Sequence, residues 1–425
     1  IAWVDFRISS MTEFMAEIDK NVKSVNSLCK TIAEIYPGIG EEVPRVGADV
    51  YDMYPVVDVI AHEYNPGDNA AKRDPLVWME YMMGMYTFRA FAEGKPSWML
   101  SYSWDGEEKI LPADAIENLA MSQVMAGTNS WDAKRFVMGG SNDYAARAKV
   151  YKWINENEKL IYAPRKPISP VGIYFSPKTR DYFADNWVES YMGIFSLLLR
   201  EHIEFEIVTP RTLSTAKSNL LILPDVKCLS DNEFAELELW LKNGKSVIYT
   251  GETGNYNEKR QLIANNTRMQ ELTKTYPNVS SITGNPERAF YHFLKESYNK
   301  SAQNGKEPDY DNEELKQLLG QIRNFKGNPP IVSIENADVC AVQIASVNDK
   351  PTVFLANFSG LKGNINANQL PAKDVIVTFS KTKRKAHVVL LPFMGKPQIV
   401  KGEWKKGNLK VVLPDISRGV IVMLE

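Results

Sequence analysis

The spacing of apolar residues changes once along this chain, near residue 330, and that change restricts the fold more than any other feature. Downstream of it, short apolar runs alternate with polar residues at every second position: VCAVQIASV, TVFLANFSG, DVIVTFSK, AHVVLLPF, LKVVLPD and GVIVMLE. Gly, Asn, Pro and Lys separate the runs, so residues 330–425 are expected to form an antiparallel β-sandwich. Upstream, apolar residues recur at helical spacing between short extended runs. That alternation of strand and helix is the pattern of a parallel sheet covered by helices. The fold class is therefore α/β followed by all-β.

Within residues 1–163 the apolar positions Met11, Phe14, Met15, Ile18, Val22, Val25 and Leu28 predict one helix. Further helices are predicted over about 74–93 and 112–125. Between them lie the extended runs TIAEIYPG, PVVDVIAHEYNPG, KPSWMLSYSWDG and AGTNSWDA. Polar and aromatic residues gather at the C-terminal end of each run, where parallel sheets place their chemistry. Pro164, Pro167 and Pro170 then mark a linker. Over residues 164–329 the pattern restarts with VGIYFSP, FEIVTP, NLLILPDV and KSVIYTGETG as apolar strands, helices between them, and a polar, partly helical stretch after Gly254. The opening IAWVDFRISSMTEF reads as the continuation of a folded domain, with Trp3 and Phe6 as buried-type aromatics, and the chain is expected to start partway through a larger protein.

Composition removes several function classes. Fifty Lys+Arg against 52 Asp+Glu give a net charge of -2 over 425 residues, which argues against a broad basic nucleic-acid face. No run approaches the roughly 18 apolar residues of a membrane span. The three cysteines, Cys29, Cys228 and Cys340, are too far apart for a disulfide framework or a CxxC zinc site. With only four isolated histidines, no metal and no cofactor are expected. The run Lys381–Lys385 reads as a solvated hairpin turn. Nothing in the residues fixes the compartment, which stays open between cytoplasmic and exported after removal of a signal peptide.

KPSWMLSYS followed by AMSQVMAGTNSWDA, then VGIYFSPKTRDYF, LLILPDVKCLSDNEFAELELWLKNGKSVIYTGETG and the closing GNLKVVLPDISRGVIVMLE, resemble the C-terminal part of the glycoside hydrolase family 42 β-galactosidases and related clan A families. The resemblance implies a partial (β/α)8 barrel whose strands five to eight are residues 31–36, 57–63, 97–103 and 126–132. A flavodoxin-like, class I glutamine amidotransferase-like domain follows, the trimerisation domain of those enzymes, and then the β-sandwich. It implies hydrolysis of O-glycosidic bonds, a carbohydrate substrate and a homo-oligomer such as a trimer. The chain departs from the family pattern twice. The acid/base glutamate of an Asn-Glu pair after strand four has no counterpart before Thr31, and the strand-seven nucleophile position falls on Ser101.

Glycoside hydrolysis needs carboxylates flanking the scissile bond, because the transition state carries oxocarbenium charge. Glu63, at the end of an apolar strand, is the candidate catalytic residue. Glu34, Tyr36, His62, Tyr64, Ser101, Tyr102, Trp104, Asp105, Trp131 and Asp132 are candidate sugar contacts, since carboxylates and hydroxyls bond sugar hydroxyls and aromatic rings stack on sugar faces. Arg7 is open between a substrate hydroxyl and an internal ion pair. Amidotransferase chemistry is not expected, because the TGETG turn carries Glu252 and Thr253 where a thiol would be needed. The alternative to an enzyme is a non-catalytic carbohydrate-binding or oligomerisation relative that has lost the strand-seven nucleophile.

Overall fold

The computed structural model describes residues 2–36, 38–40, 42–64, 74–101, 113–132, 144–168, 171–263, 267–325, 330–362 and 369–425. Four parallel strands form the first sheet: β1 (Ile32–Ile35), β2 (Val59–Glu63), β3 (Ser97–Ser101) and β4 (Asn129–Asp132), in the order β1-β2-β3-β4. They alternate with α1 (Ala2–Val25), the short α2 (Glu42–Val46) and α3 (Val50–Met53), α4 (Pro75–Ala92), α5 (Ala113–Ala126) and α6 (Tyr144–Ile161). Asp74 caps α4, accepting from Val77 N at 2.9 Å, and Pro75 follows at the first turn, where a missing N–H costs nothing. The strand positions agree with those read from the sequence. The aromatics of α1 do not: Trp3 and Phe6 are 65% and 58% exposed, because no described element packs on that face of the helix. Phe14 and Ile18 extend the same exposed apolar face.

A second parallel sheet follows, built from β5 (Val171–Tyr174), β6 (Phe205–Val208), β7 (Leu220–Leu223), β8 (Ser246–Thr250) and β9 (Val279–Ile282) in the order β6-β5-β7-β8-β9. Helices α7 (Pro177–Arg200) and α10 (Pro286–Ala302) cover one face, and α8 (Asp231–Lys242) with α9 (Thr267–Thr275) cover the other. Being buried on both faces, β5 and β7 are apolar at every position. Gly193 lets α7 meet the start of α10, since a Cβ there would lie 1.9 Å from the Glu287 carbonyl oxygen. Helix α11 (Glu313–Arg323) completes this part of the chain.

The remaining strands are β10 (Val332–Glu335), β11 (Cys340–Val347), β12 (Lys350–Asn357), β13 (Ile376–Phe379), β14 (Val388–Pro392), β15 (Gln398–Val400), β16 (Glu403–Lys405), β17 (Asn408–Val412) and β18 (Gly419–Leu424). They form two antiparallel sheets, β10-β13-β17-β16 and β11-β12-β18-β14-β15, which share one apolar core. Lys381–Lys385 is not a hairpin turn: it joins β13 to β14, and these strands lie in different sheets.

One core cluster runs through both parallel sheets and into the antiparallel part. Polar ties accompany it. Arg180 of α7 is fully buried and bonds Asp49 at 2.6 Å and Asp181 at 2.8 Å, while Asp49 caps α3 through Tyr51 N. Arg211 donates to the Tyr51 and Phe91 carbonyls, and Thr87 of α4 pairs with the Tyr191 hydroxyl at 2.9 Å. Removing one partner of a buried ion pair leaves the other charge unsolvated. Arg180→Met is expected to lower unfolding stability by about 3–5 kcal/mol, read from a urea titration. A loss under about 1 kcal/mol would show that Arg180 does not hold the two sheets together.

Candidate functional site

Side chains alternate across a strand, so the register of β1–β4 assigns every residue to one of two faces. Ile32 pairs with Val59, Glu34 with Ala61, Ala61 with Trp98, Glu63 with Leu100, and Leu100 with Trp131. One face therefore carries Glu34, Ala61, Glu63, Trp98, Leu100 and Trp131. The other carries Ala33, Ile35, Ile60 and Met99, which belong to the core packed against the helices. In a closed barrel the first of these faces is the interior, and its C-terminal edge is where several loops converge on a ligand. Glu63 stands half-buried at that edge, and Glu34 is exposed on the neighbouring strand. The Trp98 and Trp131 rings meet edge to face with centroids 6.3 Å apart. Carboxylates beside indoles suit a sugar, whose hydroxyls take hydrogen bonds while its C–H face packs on a ring.

His62 does not share this face. Its ring is fully buried, stacks on Phe88 at 4.4 Å and bonds the Tyr54 hydroxyl through Nε2 at 2.6 Å. Tyr64 also turns to the helices. Its ring packs on Tyr81 and Phe88, and its hydroxyl donates to the Glu80 carbonyl of α4 at 3.3 Å. Gly84 makes room for it, since a Cβ there would lie 2.2 Å from the ring. Both residues are packing groups of the sheet–helix layer, which corrects their assignment as sugar contacts. The reason is periodicity: in HEY the middle residue and its two neighbours face opposite ways.

Tyr36 follows β1 and is exposed. Ser101 pairs with Asp132 at the C-terminal ends of β3 and β4, and both side chains lie outside the described residues. So do Tyr102, Trp104 and Asp105 entirely. Trp98 escaped the sequence reading, since only the pairing of β2 with β3 places it on the face of Glu63. Arg7 lies against Trp3, with 6.0 Å from guanidinium to ring centroid.

In the second sheet, Cys228 is buried, and burial pushes its thiol up to about 12, so it is a poor nucleophile. The TGETG turn packs on Asp225, whose carboxylate accepts from Glu252 N at 2.8 Å. Among the described residues no cluster of three or more His, Cys, Asp or Glu is placed to hold a metal ion. Within them, no helix is long and apolar enough to cross a membrane.

Burial pushes the His62 imidazole down to about 3 from its ordinary 6.5. The unfolded chain then binds a proton below pH 6.5 that the folded chain refuses down to about pH 3. The stabilising effect is complete above pH 6.5 and is lost as pH falls toward 3. His62→Phe is expected to reduce the slope of stability against pH between 6 and 4 by up to one proton equivalent, read from urea titrations at several pH values. An unchanged slope would mean that His62 is solvated.

No family model matches the chain, and no curated protein matches it. Solved structures do. A catalytic mutant of Gan42B, a GH42 β-galactosidase from G. stearothermophilus, is 12% identical with a TM-score of 0.64, over 100% of this chain and 68% of that one. The β-galactosidase from Bacillus circulans sp. alkalophilus is 11% identical with a TM-score of 0.64, over 99% and 68%. The apo exo-carrageenase GH42 from Bacteroides ovatus is 13% identical with a TM-score of 0.56, over 100% of this chain and 56% of that one. The chain thus spans about two thirds of the β-galactosidases' length and little more than half of the carrageenase's. Its fold is that of a GH42-like glycoside hydrolase over the part that it spans.

Proposed function

We propose that this chain is the C-terminal portion of a glycoside hydrolase of the β-galactosidase-like, clan A type, acting on O-glycosidic bonds. The observation that carries the reading is the placement of Glu63: a half-buried carboxylate at the C-terminal edge of a parallel sheet, on the face that also presents Glu34, Trp98 and Trp131. The full-length likeness to GH42 folds supports it. In this reading Glu63 is the catalytic carboxylate, Glu34, Tyr36 and Trp131 contact the sugar, and Tyr102, Trp104 and Asp105 complete the rim, whereas the pairing of Ser101 with Asp132 puts both in register with His62, on the opposite face. Further β/α units, outside residues 1–425, cover the free edge of β1 and the exposed face of α1. Among the described residues β1 is an edge strand, and α1 presents Trp3, Phe6 and Phe14 to solvent; each calls for such a cover.

The domains in this proposal are 1–163, 164–329 and 330–425. The strand order of the second sheet, 2-1-3-4-5 in chain order, supports naming the middle domain flavodoxin-like. By its likeness to a trimerisation domain, the protein is a homo-oligomer, and light scattering of the full-length protein tests this, one chain per particle removing it. The compartment is open between cytoplasmic and exported.

A specific observation favours a second reading, a carbohydrate-binding relative without catalysis. The strand taken as barrel strand seven presents Leu100, fully buried, beside Glu63, and not a carboxylate. Glu63→Gln in the full-length protein separates the two. Sugar binding is expected to survive while turnover of an aryl glycoside falls by several orders of magnitude, the size of losing one transition-state interaction of about 4 kcal/mol or more. Turnover unchanged by the substitution moves the chemistry away from Glu63. Sugar binding without turnover in the unaltered protein establishes the second reading.

A further inference from the structure

At the opposite end of the first sheet, a cavity of about 740 Å³ opens between the N-terminal ends of β3 and β4, strand β6 of the second sheet and strand β11 of the antiparallel part. That volume falls within the range of small-molecule sites. Two guanidinium groups line it, those of Arg89 at the end of α4 and Arg165 in the linker. Arg165 donates to the Met125 and Val124 carbonyls at 2.6 and 2.7 Å, and Arg89 donates to the Ala126 carbonyl at 2.7 Å. Both then share one neutral acceptor, the Gln343 side-chain oxygen, at 2.7 Å from Arg165 and 3.2 Å from Arg89. Among the described residues neither makes an ion pair with a carboxylate.

The other charged groups around the cavity are already engaged. Lys95 donates to the Tyr54 and Val57 carbonyls, and Glu93 pairs with Arg211 at 2.5 Å. Glu206 accepts from Ser218 N, and Glu204 accepts from Ile168 N. Burial raises the Glu204 carboxyl to about 8, which leaves it protonated at neutral pH. Two positive charges therefore lie together without a carboxylate partner, met by the C-terminal dipole of α5, which amounts to roughly half a charge, and by the Phe354 ring under Arg165, while Glu206 puts one carboxylate elsewhere on the wall. Burial lowers the affinity of Arg165 for its proton, and Arg89 beside it lowers it further. Behind the cavity wall, the Tyr86 hydroxyl and Arg165 Nε are buried with no hydrogen-bond partner.

We infer that this cavity binds a small oxyanion ligand, a phosphate or a carboxylate on a small molecule, whose negative charge is held by Arg89 and Arg165. The Nη groups of Arg165 are taken by the Met125, Val124 and Ile161 carbonyls and by Gln343, so it acts through its charge, while a guanidinium such as that of Arg89 suits the oxygens of both groups. The site is remote from the sugar rim and does not depend on chemistry there. It is lined from three of the four sheets, and an occupied cavity stabilises the folded chain by mass action.

Thermal unfolding of the chain in inorganic phosphate, or in succinate, replacing sodium chloride at constant ionic strength, tests it. A saturable rise in Tm is expected with at least one of the two, and which one responds identifies the headgroup. Gln343→Glu places a carboxylate between the guanidinium groups. It is expected to raise Tm in chloride and to weaken the oxyanion response on the order of tenfold or more. Absence of a saturable response to both anions overturns the inference, as does an undiminished response in Gln343→Glu. Should that variant fail to fold, selenate diffused into crystals of the unaltered chain gives an independent reading. An anomalous peak within hydrogen-bond distance of Arg89 or Arg165 supports the site, and none there overturns it.

Discussion

A single buried guanidinium, that of Arg180, sets how the two parallel sheets meet. It lies at the start of α7, in the first turns after β5, and reaches back to Asp49, which in turn caps α3 beside the first sheet. Burial raises the Asp49 carboxyl, and Asp52 and Asp181 nearby raise it further, while Arg180 acts in the opposite direction. Arg180 itself is held more firmly protonated than usual by these carboxylates, against its own burial. Such a network tolerates little displacement, because each charge depends on the others in the absence of water. The apolar contacts around it, Phe91 on Phe175 and Tyr86 on Phe195, are non-directional and would accept several dockings. The charged network selects one.

That docking leaves the two ends of the first sheet in different surroundings. The C-terminal end of β2 carries Glu63, on the face shared with Trp98 and Trp131. The N-terminal ends close onto the second sheet and the antiparallel strands. Within each strand a second division holds: the face toward the helices is packed and apolar, and even His62 is kept neutral there. A polar residue on a strand is thus informative only once its face is known.

The strand–helix alternation and the shift to two-residue spacing were legible because each depends on local spacing. Strands β5, β7 and β8 were readable as continuous apolar runs. Strand β9 was not, since VSSI is an edge strand with two apolar residues, and β15 and β16 are three residues each, with little burial to leave a pattern. Helix α6 was passed over because its apolar face is narrow, with Ala146, Val150, Trp153, Ile154 and Ile161 buried among charged neighbours. Of the candidate site, the position of Glu63 at a strand end was legible. The opposite orientation of His62 and Tyr64 follows from alternation along the same strand and was passed over. The arginine pair beneath the sheet was invisible in the sequence, because its partners lie far apart along the chain.

That separation has a consequence for how the chain is made. The carbonyls that end α5 are met by Arg165 in the linker, which is itself held by Gln343 and lies over the Phe354 ring. Asn118 and Glu117, earlier in the same helix, receive Arg418, and Trp153 of α6 donates to the Gly395 carbonyl. About 290 residues separate the end of α5 from Arg418, so at translation rates of roughly 5–20 residues per second the helix waits on the order of 15–60 s for its last partner. During that interval the underside of the first sheet is a surface awaiting its neighbour, within reach of chaperones and of other nascent chains. Long-range closure of this kind makes the final docking slow and largely post-translational.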